Sequence, residues 1–266
     1  MTATDAESRW VRRFHTATSS RTTLVCFPHA GGSASFFHPM SAALQPTSQV
    51  LALQYPGRQD RLRDRYLATI GELADESFEA LRPLMDRPLA LFGHSMGATV
   101  AFEVAVRMRQ QLDTTPVALF ASGRRAPSRY RHEVVHQQSD EGIVAELRAL
   151  SGTDSRLLGD LELLSMILPA LRSDYTAAET YRYSPGPKLD CPIVVLTGDQ
   201  DPKVTPDEAR AWGEHTTGTC EVHTYPGGHF YLVDQQPAII DLITNRLFTA
   251  GQPDDDRHGA GAVPRR

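Results

Sequence analysis

Six short runs in this 266-residue chain are apolar at nearly every position and rich in strand-forming residues: Thr23–Phe27, Val50–Gln54, Leu89–Phe92, Val117–Phe120, Ile193–Thr197 and Cys220–Tyr225. Continuous rather than alternating apolarity is what a strand buried on both faces requires, and such burial belongs to parallel sheets covered by helices. The stretches between the runs repeat at helical period. Ile70, Leu73, Ala74, Phe78 and Leu81 share one face, Ala98, Phe102, Ala105 and Met108 another. Ile239, Ile243 and Leu247 give a C-terminal helix entered through Pro237. This alternation predicts one α/β domain with a mostly parallel central sheet flanked by helices. A short strand is expected around Trp10–Phe14, and the tail 251–266, without apolar anchors, is expected to be disordered.

One region breaks the pattern. From Ser128 to Tyr183 only helical segments are legible. Ser139 is placed to cap a helix through Ile143, Val144, Leu147 and Leu150, with Gly152 as its stop. One or two further helices follow, with an interruption expected near Pro169. An all-helical insertion between strands of an α/β sheet suggests a lid; an ordinary connecting helix pair is the plainer alternative.

Composition sets outer bounds. A formal charge of −5 argues against a general nucleic-acid binder. No window is long and apolar enough to span a bilayer, and the amino terminus lacks the apolar run of a secretory signal, which predicts a cytoplasmic protein. The three cysteines, Cys26, Cys191 and Cys220, have no metal-ligand spacing and suit small buried positions on or beside strands.

The chemistry gathers around GHSMGA, residues 93–98. G-x-S-x-G is short and common in isolation. Here it follows the apolar run LALF and precedes the helical ATVAFEVAVRM, so Ser95 stands at a strand-to-helix junction, the setting of a nucleophile elbow. A serine hydroxyl needs a base, and the chain order Ser, acid, His directs the search. His229, in PGGH after the last strand, fits the base; His223 lies within that strand and reads as a structural or surface residue. The acid should end an earlier strand. VALFAS ends without a carboxylate, whereas PIVVLTGDQDP offers Asp199 and Asp201. Spacing leaves both open, and Asp201, nearer the loop apex, has the better reach. Two backbone donors are needed for an oxyanion. Met96 follows the nucleophile, and the Gly-rich loop FPHAGGSASFF supplies Ala30, with His29 shaping the loop.

FPHAGGSASFF, QYPGRQDR, LFGHSMGATVAFE, ASGRRAPS, LPALRSDYTAAETYRY, TGDQDP and PGGHF occur in that order. Together they resemble the type II thioesterases of polyketide and nonribosomal peptide biosynthesis, from about Trp10 to Phe248. The resemblance implies an α/β-hydrolase fold with a mobile helical lid over an acyl chamber. It implies a triad of Ser95, Asp201 and His229, in which the acid is the second aspartate of GDxD, and oxyanion donors at Ala30 and Met96. It further implies carrier-protein partners, a monomer, and no cofactor, since phosphopantetheine belongs to the substrate. Medium-chain acyl-carrier hydrolases are similar too.

Carrier proteins are typically acidic, so basic loops are candidate docking surfaces. GRQDRLRDR supplies Arg58, Arg61, Arg63 and Arg65; GRRAPSRYR supplies Arg124, Arg125, Arg129 and Arg131. Arg124 and Arg125, leading into the insertion, are the favoured pair, and solvated loop charges are the alternative reading. A general esterase and a non-catalytic binding protein of the same fold are the rival functions.

Overall fold

The computed structural model describes residues 9–17, 22–150 and 161–250. The predicted tail and the helix stop at Gly152 lie outside the described residues. Seven strands form one sheet: β1 (Val11–Arg12), β2 (Thr23–Phe27), β3 (Gln49–Leu53), β4 (Leu89–His94), β5 (Ala118–Ser122), β6 (Ile193–Gly198) and β7 (Cys220–Tyr225). Their order is β1-β3-β2-β4-β5-β6-β7. β1 pairs antiparallel with β3, with Val11 opposite Leu53; the other neighbours are parallel, and Val25 of β2 lies opposite both Leu51 and Leu91.

The double-sided apolarity of the central strands is matched by two helix layers. Successive side chains of a strand point to opposite faces. Val25, Leu91, Leu119 and Val195 therefore join one core with α2 (Ile70–Leu81) and α3 (Met96–Leu112). Their neighbours Leu24, Phe92, Phe120 and Leu196 join another with α1 (His38–Leu44) and Ile239, Ile243 and Leu247 of the C-terminal helix. Thr69 caps α2 by accepting the Glu72 N–H at 3.1 Å. β7 departs from the fully buried strand expected from the sequence: its residues are half-buried or exposed. It has β6 as its one neighbour in the sheet, and a strand at an edge is covered less completely.

Between β5 and β6 the chain forms the helical insertion. After a short turn at Val135–Gln137 come α4 (Asp140–Leu150) and α5 (Leu161–Thr180). Ser139 Oγ accepts the Gly142 N–H at 3.4 Å at the start of α4. The expected interruption at Pro169 is absent: α5 runs through it. A proline inside a helix costs about 3 kcal/mol relative to alanine. Here Leu164, Leu168 and Leu171, on both sides of Pro169, are buried with Ile143 and Val144 of α4 in a core of the insertion's own, which offsets that loss. The short α6 (Pro206–Arg210) lies between β6 and β7, and the short α7 (Tyr231–Asp234) and the longer α8 (Gln236–Ala250) follow β7. Among the described residues no helix is long and apolar enough to cross a membrane.

Candidate active site

Parallel strands deliver their carboxyl ends to one edge of the sheet, where α/β proteins place their sites. β4 ends at His94, and the next residue, Ser95, has φ 54° and ψ −121°. A non-glycine residue in this region is strained and persists only where its surroundings hold it. The Ser95 N–H donates to the Ser122 carbonyl at the end of β5, at 2.8 Å, and the Ser95 carbonyl accepts from Ala98 N–H at 3.0 Å. The two motif glycines let backbones touch. A Cβ on Gly93 would lie 2.2 Å from the Gly97 carbonyl oxygen, and one on Gly97 would lie 2.1 Å from that of Phe27.

From the loop after β7 comes His229, 3% exposed. Its Nε2 is 3.0 Å from Ser95 Oγ, and its Nδ1 faces the Asp201 carboxylate at 3.0 Å and 2.9 Å. A carboxylate only accepts, so Nδ1 carries the proton and Nε2 is left to accept from the Ser95 hydroxyl. Asp201 is further held by the Lys203 N–H at 2.8 Å. Asp199 serves the backbone instead, because its Oδ1 accepts the Gly227 N–H at 2.9 Å and fixes the turn that carries His229. The choice that spacing left open is thereby a geometric fact about which aspartate meets the imidazole.

Ser95, His229, Ala30 and Met96 all line one cavity of about 510 Å³. Met96 opens α3, and the first N–H groups of a helix have no partner within it. Leu147, Leu150, Ile167, Leu171 and Tyr175 of the insertion line the cavity's apolar wall together with Phe36, Leu62 and Phe230.

Residues not singled out from the sequence complete the surroundings. His94 is fully buried, with its ring centre 5.1 Å from that of His229. Its Nδ1 is 3.0 Å from Ser122 Oγ, which is 2.6 Å from the Tyr231 hydroxyl. Burial, then the neighbouring His229 and His29, hold the His94 pKa well below the ordinary range. A lone polar residue ending the apolar run of β4 was the available sequence signal. His29 does shape its loop, edge-on to Phe36 and Phe230, and burial first, then the nearby charges of His229 and Arg58, lower its pKa to about 3. Both rings stay neutral beside His229. Among the described residues no cluster of three or more His, Cys, Asp or Glu suited to a metal ion occurs.

Of the expected docking pair, Arg125 is buried and Arg124 is half-buried. Arg125 is 4% exposed and ion-paired with Glu133. Arg124 donates from Nε to Thr99 Oγ1 and from Nη2 to the Ala178 carbonyl, each at 3.1 Å, and lines the cavity. Both guanidinium groups turn inward because the insertion covers the loop that carries them, and charges so placed are retained by internal partners rather than by solvent. Arg129 and Arg131 are paired with Glu214 and Glu208. Arg58 and Arg61 of the other loop are buried, while Arg63 and Arg65 are exposed.

Residues 22–247 match the thioesterase domain family. The chain is 50% identical over 247 residues to the thioesterase PikA5 of Streptomyces venezuelae, covering 92% of this chain and 88% of that protein. It is 49% identical over 253 residues to a probable cadicidin biosynthesis thioesterase of Streptomyces griseus, covering 95% and 69%. Among solved structures, the type II thioesterase BorB from the borrelidin biosynthetic cluster superposes with a TM-score of 0.84 at 54% identity, covering 90% of this chain and 97% of that one. The RedJ thioesterase of the prodiginine pathway in Streptomyces coelicolor gives 0.80 at 36% identity, covering 86% of each chain. The strained serine of the β4–α3 turn therefore sits in an α/β-hydrolase fold, and the chain belongs to the thioesterase domain family, among the type II thioesterases.

Proposed function

We propose that this thioesterase hydrolyses acyl groups from the phosphopantetheine arms of acyl or peptidyl carrier proteins in polyketide or nonribosomal peptide synthesis, through a Ser95 acyl-enzyme. The observation that carries the reading is the continuous hydrogen-bonded chain from Asp201 through His229 to Ser95 on the wall of the 510 Å³ cavity. His229 Nε2 takes the hydroxyl proton as Ser95 Oγ bonds to the thioester carbonyl carbon. The N–H groups of Ala30 and Met96 receive the oxyanion. As the C–S bond breaks, the leaving sulfur takes the proton from His229. Water, deprotonated by the same nitrogen, attacks the acyl-enzyme; the Ser95 Oγ–C bond breaks, Oγ takes that proton back from His229, and the acid leaves. Asp201 keeps the imidazole in the required tautomer and stabilises the imidazolium. No step calls for a metal or redox cofactor.

The insertion acts as the lid of an acyl chamber in this reading, because α4 and α5 supply much of its apolar wall. The carrier-protein substrate is supported by a relative named for gramicidin S biosynthesis and a solved type II thioesterase named for the yersiniabactin NRPS/PKS pathway. The test is hydrolysis of a panel of acyl-carrier proteins beside matched small thioesters and oxygen esters, with Ser95→Ala as control. Ser95-dependent release from the carriers supports the proposal; preference for oxygen esters makes the protein an esterase. Failure of Ser95 to label with a fluorophosphonate removes the covalent mechanism.

A further inference from the structure

The loop that carries Ala30 is closed by one turn of its own, in which the Gly32 N–H donates to the His29 carbonyl at 2.9 Å, and is otherwise held from outside. Gly31, next in the chain, has φ 75°, and its N–H donates to Asp174 Oδ2 at 2.7 Å. Asp174 lies in α5 of the insertion, far away in sequence, and is 1% exposed. The same carboxylate oxygen is ion-paired with Arg58, itself 7% exposed. Arg58 in turn donates from Nε to the Gly32 carbonyl at 3.2 Å and from Nη1 to the Pro56 carbonyl at 2.6 Å. One helical turn before Asp174, Leu171 Cδ1 stands 2.8 Å from where a Cβ on Gly31 would be. Ala30 packs against the insertion's apolar core, of which Leu171 is part.

The peptide unit after Ala30 is thus fixed by one hydrogen bond to α5, and the carbonyl of Gly32 by the guanidinium that α5 neutralises. Stability alone is a weak reason for such a pair, since apolar replacements of buried ion pairs are often as stable. A pair that bonds three backbone groups in two loops instead selects one conformation for them. We propose that Asp174, held by Arg58, is a positioning residue that aims the Ala30 N–H at the developing oxyanion. The proposal rests on the serine-hydrolase reading above.

Two neutral double variants isolate the hydrogen bond. Arg58→Met/Asp174→Asn removes both charges but keeps an acceptor for the Gly31 N–H; Arg58→Met/Asp174→Leu removes the acceptor as well. Relative to the Asn variant, the Leu variant should lose about 10-fold or more in kcat, approaching the range seen when an oxyanion donor is removed. Its affinity for an alkyl boronic acid, which needs the oxyanion site, should fall in parallel. Its affinity for a non-hydrolysable acyl-pantetheine thioether should be unchanged. If the Leu variant does not fold, Arg58→Met/Asp174→Ala carries the same expectation. Equal kcat and boronate affinity in the two variants, or parallel loss of thioether binding, overturns the proposal while wild type stays active through Ser95. A wild-type protein that neither cleaves acyl thioesters nor binds the boronate overturns the serine-hydrolase reading, and this proposal with it.

Discussion

Asp201 presents both carboxylate oxygens to Nδ1 of His229, at 3.0 Å and 2.9 Å. Asp201→Asn should therefore lower kcat by roughly 10⁴-fold, because an amide there also permits the wrong imidazole tautomer. Asp199→Asn keeps an acceptor for the Gly227 N–H and should leave kcat close to wild type. Steady-state rates on one acyl-pantetheine thioester decide between them. A larger loss at Asp199 would reverse the assignment.

Acid should weaken the fold through His29. Burial first, then the charges of His229 and Arg58, bring its pKa from 6.5 down to about 3. The unfolded chain then binds this proton before the folded one, so stability present above pH 6.5 is lost as pH falls toward about 3. His29→Leu should show a shallower fall in urea midpoint between about pH 7 and pH 4. His94, whose pKa is lowered in the same sense, keeps part of the slope. Parallel curves for variant and wild type would contradict the assignment.

Gly97→Ala should destabilise the protein by about 1–3 kcal/mol, as overpacking does. Its Cβ would meet the Phe27 carbonyl oxygen at 2.1 Å, and that backbone belongs to the sheet. A Cβ on Gly228 would meet nothing within 4 Å, and Gly228→Ala should change stability by less than about 0.5 kcal/mol. Thermal unfolding of the two variants provides the comparison.

Arg125→Glu should act on folding rather than on recognition. It would set a carboxylate against Glu133 in a site where Arg125 is 4% exposed, and breaking a buried pair costs about 3–5 kcal/mol. Melting temperature should fall, and activity on carrier-bound and small thioesters should fall together. A rise in KM confined to carrier substrates, with an unchanged melting temperature, would restore a docking role.

Ile167 lies on the cavity wall in α5, away from Ser95, Asp201 and His229 in sequence. Ile167→Trp should narrow the chamber and lower kcat/KM for long acyl chains more than for acetyl or propionyl thioesters. A uniform change along a chain-length series would mean that the cavity is not where the acyl group sits.

The layered α/β plan was legible in the residues alone, since central strands apolar at nearly every position call for burial on both faces, although β7 at the sheet edge is covered less completely. Ser95 and His229 were legible too, because each sits next to a strand end in a motif whose backbone chemistry is local. Asp201 could be read to within a two-aspartate choice. Three features depended instead on packing between segments remote in the chain. α5 passes through Pro169 because packing across the insertion outweighs a local preference. Arg124 and Arg125 face inward because the insertion folds over their loop, which no local charge pattern encodes. Asp174 reaches Gly31 across 143 positions of chain, and only the docking of α5 on the oxyanion loop brings the two together.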